Sequence, residues 1–217
     1  MGLGLVKNMF MGGLMSNEYI FQSCGDGIEF IGDFDGLYSN VNDPWLQSEG
    51  RELQLTGYVG DVICDMGLTS YCEIGSGLGY NVNVINDRFD GIRVCGLDIS
   101  RIAIEKSVEN FNLDFRVVDI SKPIDIKDKF DCVCLFNCLW YVMYDLDVVI
   151  SNSRSLMTEG GVFLIAQKFL LHQKYGNEIF NGIDQCVKYI EKCTGFDVDY
   201  HKFPDIEDYY DGVLICK

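Results

Sequence analysis

The densest chemistry in the sequence lies between residues 73 and 137. Glu73-Ile74-Gly75-Ser76-Gly77-Leu78-Gly79-Tyr80 sets glycines at alternate positions in one short stretch. Such glycines let a backbone turn sharply and approach a bound molecule without Cβ obstruction. Further along, Gly96-Leu97-Asp98-Ile99-Ser100 and Val117-Val118-Asp119-Ile120 each carry an apolar run onto an aspartate. A carboxylate at a strand end accepts both hydroxyls of a ribose, which suits Asp98, and Asp119 is well placed to meet an adenine amino group. Each acid alone is most often a solvated strand end, and a lone glycine turn is weak evidence of any ligand. Together, in register on successive units, they point to a nucleoside-bearing molecule.

The elements that must position these residues are legible as alternating runs. Ser70–Ile74, Arg93–Asp98, Asp114–Asp119, Phe130–Phe136 and Val162–Gln167 read as strands. Their continuous apolar character requires cover on both faces, the condition of a parallel sheet between helices. Ser100 can cap a helix with apolar positions Ile104, Val108 and Phe111. Leu55, Tyr58, Val59, Val62, Ile63 and Met66 share a helical spacing, which Gly57 and Gly60 weaken. A helix over Asp147–Met157 is expected to stop at Gly160-Gly161, and Ile179, Phe180, Ile183, Cys186, Val187 and Ile190 form another helical face. Phe196–Phe203 and Gly212–Cys216 then make a closing hairpin. The expectation is a doubly wound α/β fold: a seven-stranded, mostly parallel sheet with an antiparallel last strand. Open sheets of this kind bind ligands at the carboxyl ends of their strands, where all three motifs fall.

Composition narrows the partners. Acidic residues number 33 against 17 basic ones, a net charge of -16. That balance repels phosphate backbones and anionic lipid, so nucleic acid and membrane are not expected as partners. Nor does an Asn-Pro-Pro-Tyr-like tetrad follow the fourth strand. The ten cysteines are scattered through apolar runs, as thiols are in a reducing cytosol, and a cytoplasmic location is expected. Cys132, Cys134 and Cys138 are the closest cluster. With histidine only at 172 and 201, core packing is the better reading there and no metal is expected. Residues 1–14 lack a basic leader and cleavage site, and no run reaches transmembrane length.

On the glycine loop and the two aspartates, the chain resembles the Rossmann-like S-adenosylmethionine-dependent methyltransferases over roughly residues 50 to 168. The closing hairpin matches that family's reversed last strand. The resemblance implies S-adenosyl-L-methionine as cofactor, with Glu73, Gly75 and Gly77 around its methionine portion and Asp98 on its ribose. Ile99 would pack on adenine, Asp119 and Ile120 would fix its edge, and Asn137, just past the fourth strand, would contact the amino-acid moiety. An NAD site also uses glycines and a strand-end acid, but it opens G-x-G-x-x-G, whereas this loop reads E-x-G-x-G-x-G.

A shorter stretch, Phe34-Asp35-Gly36-Leu37-Tyr38 with Asp43-Pro44-Trp45 and Glu49-Gly50-Arg51, resembles the N-terminal segment of nodulation-type and sugar-amine N-methyltransferases. It implies a cap over residues 1–49 on a cofactor domain over 50–217, with Trp45 closing over the cofactor and Arg51 pairing with its carboxylate. A hydrophobic staple and a surface charge are equally good readings of those two. The acceptor expected is a small molecule, an amine or hydroxyl of a sugar or related metabolite, which would place the chain in carbohydrate biosynthesis. A non-catalytic cofactor-binding module and an enzyme acting on a protein or other macromolecule remain as alternatives. An amine needs only a proton acceptor, whereas a sugar hydroxyl needs a general base. The candidates are His172, His201, Asp35 and Asp43, of which His172 is preferred and His201 reads as structural. Tyr141 is expected in the acceptor pocket, and Trp140 either there or at the start of a buried helix.

Overall fold

The computed structural model describes residues 17–24, 27–50, 52–206 and 208–217. Residues 1–14 and Arg51 therefore lie outside the described residues. Seven strands form the central sheet: β3 (Ser70–Ile74), β4 (Arg93–Asp98), β5 (Asp114–Val117), β6 (Phe130–Phe136), β7 (Met157–Leu170), β8 (Val198–Lys202) and β9 (Tyr209–Cys216). Their spatial order is β5-β4-β3-β6-β7-β9-β8, with β9 antiparallel to both its neighbours and the remaining pairs parallel. The expected sheet, reversed last strand included, is the one observed.

Both faces of the sheet are apolar because helices cover both. Alternate residues Cys72, Ile74, Leu97, Val133 and Leu135 face α6 (Leu146–Leu156) and α7 (Ile183–Thr194), which contribute Val149, Ile150, Cys186 and Ile190. Tyr71, Val94, Cys132, Cys134 and Phe136 face α3 (Leu53–Met66), α4 (Tyr80–Arg88) and α5 (Arg101–Asn110). Cys132 and Cys134 are thus fully buried core residues. Ser100 caps α5 as expected, its hydroxyl accepting the Ala103 amide at 3.1 Å.

Several boundaries differ from the expected ones. The Asp147–Met157 helix ends at Leu156, and Met157 is already extended. The glycines expected to cap it lie inside β7, with Gly160 at φ +75° near a register shift between Phe130 and Cys132, so they bend a strand. The helical face begun at Ile179 starts only at Ile183. Strand β5 stops at Val117, leaving Asp119 in the following loop.

Ahead of the sheet, a helical turn α1 (Asn17–Ile20), a hairpin of β1 (Phe21–Cys24) and β2 (Gly27–Phe30), and α2 (Phe34–Asn40) form a small layer. Its own core is Ile20, Phe21 and Leu37, and it packs through Trp45 and Tyr141 onto the carboxyl edge of the sheet. Asp33 caps α2 through the Gly36 amide at 2.8 Å, and Lys106 on α5 donates to the Tyr38 carbonyl at 2.6 Å. No helix among the described residues is long and apolar enough to cross a membrane.

Candidate functional site

A cavity of about 310 Å³ opens at the carboxyl ends of β3, β4 and β6, roofed by the N-terminal layer. Its floor is the glycine loop after β3. Gly75 and Gly77 adopt φ +82° and +54°, where a side chain is strained. A Cβ on Gly75 would stand 2.7 Å from the Cys138 sulfur, and one on Gly77 would stand 2.5 Å from Gln47 Oε1. Every amide of this loop is occupied. Gly75 and Ser76 donate to the Leu97 carbonyl at 2.8 and 3.0 Å, and Gly79 donates to the Ser76 carbonyl at 3.0 Å. Gly77 donates to Asp98 Oδ2 at 2.8 Å, and Leu78 to Gln47 Oε1 at 2.9 Å. The bend therefore presents no free amide among Gly75–Gly79 to cradle a phosphate, unlike the loops that bind pyrophosphate.

Asp98 ends β4 and lines the cavity. Burial pushes its pKa up to about 6 against the amides of Ser100 and Gly77, which hold the charge. Each carboxylate oxygen takes one of those amides, at 2.8 Å, and keeps a lone pair for a ligand. Ile99 stands beside it on the wall, 47% exposed. Asp119 and Ile120 line the same wall. Burial works to raise the Asp119 pKa, but Lys122 at 2.8 Å and the Ser121 hydroxyl at 2.6 Å outweigh it and hold the group low and ionised.

Asn137 closes the opposite wall at φ +48°, a conformation asparagine tolerates. Its side-chain oxygen accepts the Lys168 amide at 2.9 Å, and its amide donates to Glu52 Oε1 at 2.7 Å. Trp45, Trp140 and Tyr141 all line the cavity. Trp140 is also buried core, its indole donating to the Lys168 carbonyl at 3.0 Å. Tyr141 sits among Phe21, Phe30, Phe34 and Trp45 at centroid distances of 5.2 to 6.1 Å. Burial drives its phenol pKa well above the ordinary value, so it stays protonated.

Other expected residues lie apart. Glu73 is fully buried behind the loop, held by the Tyr71 hydroxyl at 2.6 Å, and does not reach the cavity wall. His172 is exposed and outside the wall. Asp35 accepts the Ser100 hydroxyl at 2.7 Å, and Asp43 accepts the amides of Gln47 and Ser48, so both serve as braces. His201 stacks on Tyr58 at 4.7 Å on the far strand β8. Sequence reasoning missed Glu52, Gln47, Tyr38, Phe30 and Lys168 as lining residues. The stretch Asp43-Pro44-Trp45 pointed near Gln47; a Glu directly ahead of a helix reads as an ordinary first-turn charge and hid Glu52.

A family model described as a methyltransferase domain matches residues 72–163, the segment from β3 into β7. No curated protein sequence matches the chain. Among solved structures, a phosphoethanolamine N-methyltransferase 2 from Haemonchus contortus, in complex with S-adenosyl-L-methionine, superposes with a TM-score of 0.55 at 15% identity, covering 68% of this chain. This chain spans only 48% of that one's length. A protein from Pyrococcus horikoshii OT3 gives 0.63 at 17% identity over 84% of this chain and 98% of that one. A magnesium protoporphyrin IX methyltransferase from Synechocystis with the same cofactor gives 0.58 at 17%, over 76% and 78%. The architecture is the Rossmann-like methyltransferase fold.

Proposed function

We propose that the chain is an S-adenosylmethionine-dependent methyltransferase acting on a small-molecule amine, with the amine of a sugar or related metabolite as the acceptor class. The observation that carries this is the loop whose five amides are all engaged while Asp98 keeps acceptor capacity facing the cavity. A dinucleotide needs the reverse, free amides for its pyrophosphate. Two acids and Ile99 on one wall suit an adenosine, and solved neighbours of this fold carry the methylated or demethylated cofactor. In this reading Asp98 accepts the ribose hydroxyls and Asp119 with Ile120 holds the adenine edge. Gly75 and Asn137 flank the methionine arm, and Trp45 roofs it. Arg51 stays a proposed partner of the cofactor carboxylate. Residues 1–49 act as a substrate cap on the domain over 50–217.

The bound cofactor supplies an electrophilic methyl on a sulfonium. The chain's part is to align the acceptor nitrogen behind that methyl and exclude water, so that the N–C bond forms as the S–C bond breaks. The wall supports nitrogen over oxygen. Its described carboxylates, Glu52, Asp98, Asp119 and Asp145, face a single lining cation, Lys168. No histidine is among the described lining residues, and the Tyr141 phenol stays protonated. An acidic wall suits an acceptor that arrives as a cation, as an amine does and a sugar hydroxyl does not, and its carboxylates can take the proton that the nitrogen gives up.

Isothermal titration tests the reading. S-adenosylmethionine should bind and NAD should not, and Asp98→Asn should weaken binding by roughly tenfold or more, the scale of one charge-assisted hydrogen bond. NAD binding in preference to S-adenosylmethionine overturns it.

A further inference from the structure

Glu52 is a carboxylate on the cavity wall that nothing so far employs. It precedes α3 and lines the cavity with Gly75, Gln47, Asn137 and Cys138. Two side-chain amides are aimed at it: Asn137 Nδ2 reaches Oε1 at 2.7 Å and Asn81 Nδ2 reaches Oε2 at 2.8 Å. The Asn137 donor is itself fixed, because the Lys168 backbone amide donates to its Oδ1 at 2.9 Å and so its oxygen cannot turn toward Glu52; Asn81 Oδ1 lies 2.9 Å from the Thr56 hydroxyl. The arrangement accepts only, and it draws the carboxylate out of water, with burial pushing its pKa up. Among the described residues no salt bridge reaches Glu52. Lys168 on the same wall favours the charged form but makes no ion pair with it, and burial outweighs that help, so a ligand bearing its own positive charge would relieve the cost.

The strand order says which charge. Asp98 and Asp119 mark the nucleoside over β4 and the loop after β5, on one side of β3. A chain extending from that nucleoside across Gly75 passes toward β6, where Asn137 and Glu52 stand. We propose that Glu52 receives the α-ammonium of the cofactor's methionine arm, so that the wall between α3 and β6 is an ammonium site built from Glu52, Asn81 and Asn137. This rests on the cofactor reading above and adds to it a positioning residue for the arm.

The test is a binding cycle by isothermal titration, which reads affinity and needs no turnover. Wild type and Glu52→Gln are each titrated with S-adenosylhomocysteine, with its analogue carrying hydrogen in place of the α-amino group, and with 5′-methylthioadenosine. Deleting the amino group should weaken wild type by about 10- to 100-fold, the range for a charged hydrogen bond, and weaken Glu52→Gln by less than about threefold. Methylthioadenosine, which has no arm, should bind both proteins alike. An amino-group effect of equal size in the two proteins overturns the assignment, as does unchanged homocysteine-arm affinity in Glu52→Gln. Should Glu52→Gln not fold, Glu52→Asp carries the same cycle. Retention there of less than half the wild-type amino-group effect on a logarithmic scale supports the site, because a carboxylate drawn back by one methylene loses reach, and a full effect overturns it. Failure of the cofactor reading looks different: none of the three ligands would bind wild type.

Discussion

Glu73 is the residue whose sequence reading and surroundings diverge most. Its place ahead of the glycines suggested a ligand contact, yet it lies behind the loop with one oxygen on the Tyr71 hydroxyl and the other, Oε1, lacking a partner. Burial dominates and pushes its pKa up to about 8, with the Tyr71 bond pulling the other way and Glu52 and Asp98 adding repulsion. The sign for stability follows. A carboxyl whose folded value lies above its unfolded one binds its proton more tightly when folded, so its contribution is complete below about 4.5 and lost as pH rises through about 8. Asp98, raised to about 6, acts in the same direction over a lower window. Thermal denaturation of the ligand-free protein should therefore show Tm falling between pH 5 and pH 9 by several degrees. Glu73→Gln, which cannot ionise, should flatten the upper part of that slope; an unaltered slope would show that Glu73 is not its source. Period and strand-end position told which residues gather at the sheet edge. They could not tell which side of the pleat Glu73 takes, because the residue sits where alternation and the turn meet. Asp98, on the same edge, faces the cavity as read.

At the level of elements, the loop and the cap hold each other. Gln47 spans them, accepting the Leu78 amide while its own backbone amide is fixed by Asp43. The Tyr38 hydroxyl and Gln47 Oε1 both occupy the space that a Cβ on Gly77 would need, so the cap sits directly on the loop. Gly77→Ala combines a positive φ with a contact of 2.5 Å to Gln47 Oε1. It should cost about 1–3 kcal/mol in stability by urea denaturation and should displace the cap, reducing cofactor affinity. Gly57→Ala, in mid-helix with open space around its Cβ position, should instead gain up to about 1 kcal/mol. Equal effects at the two sites would contradict the coupling between loop and cap. Most of the sheet was legible at this scale, because each strand buried on both sides reads as an unbroken apolar run. The β1–β2 hairpin was not: four-residue strands give too short an alternation to stand out, although the dipeptide between them in the sequence, Gly25-Asp26, is a hairpin-turn signal. Gly160 misled because a helix cap and a strand bend make the same demand of a glycine, and only the partner strand at Phe130 and Cys132 decides between them.

For the whole molecule, charge links the surface to the cavity. A net charge of -16 surrounds a site whose described walls hold four carboxylates and one lysine. The lysine's ammonium lies over the Tyr209 ring at 4.4 Å. A field of that sign raises the local concentration of cations and lowers that of anions, by an amount that salt removes. Raising ionic strength from about 0.01 M to about 0.15 M shortens the screening length from roughly 30 Å to roughly 8 Å, less than the reach of the surface charge. If the acceptor is an amine that arrives protonated and loses its proton only inside the cavity, kcat/KM should fall several-fold across that salt range while kcat stays nearly constant. A neutral hydroxyl acceptor would show little change, and an anionic one such as a phosphorylated alcohol would show a rise. Initial rates for matched amine, hydroxyl and phosphate acceptors at the two salt concentrations distinguish these outcomes, and a rise for the best acceptor would set the charge argument for an amine aside. A roof of Phe30, Phe34, Trp45 and Tyr141 adds no further charge to an acidic cavity and offers ring faces on which a cation can rest.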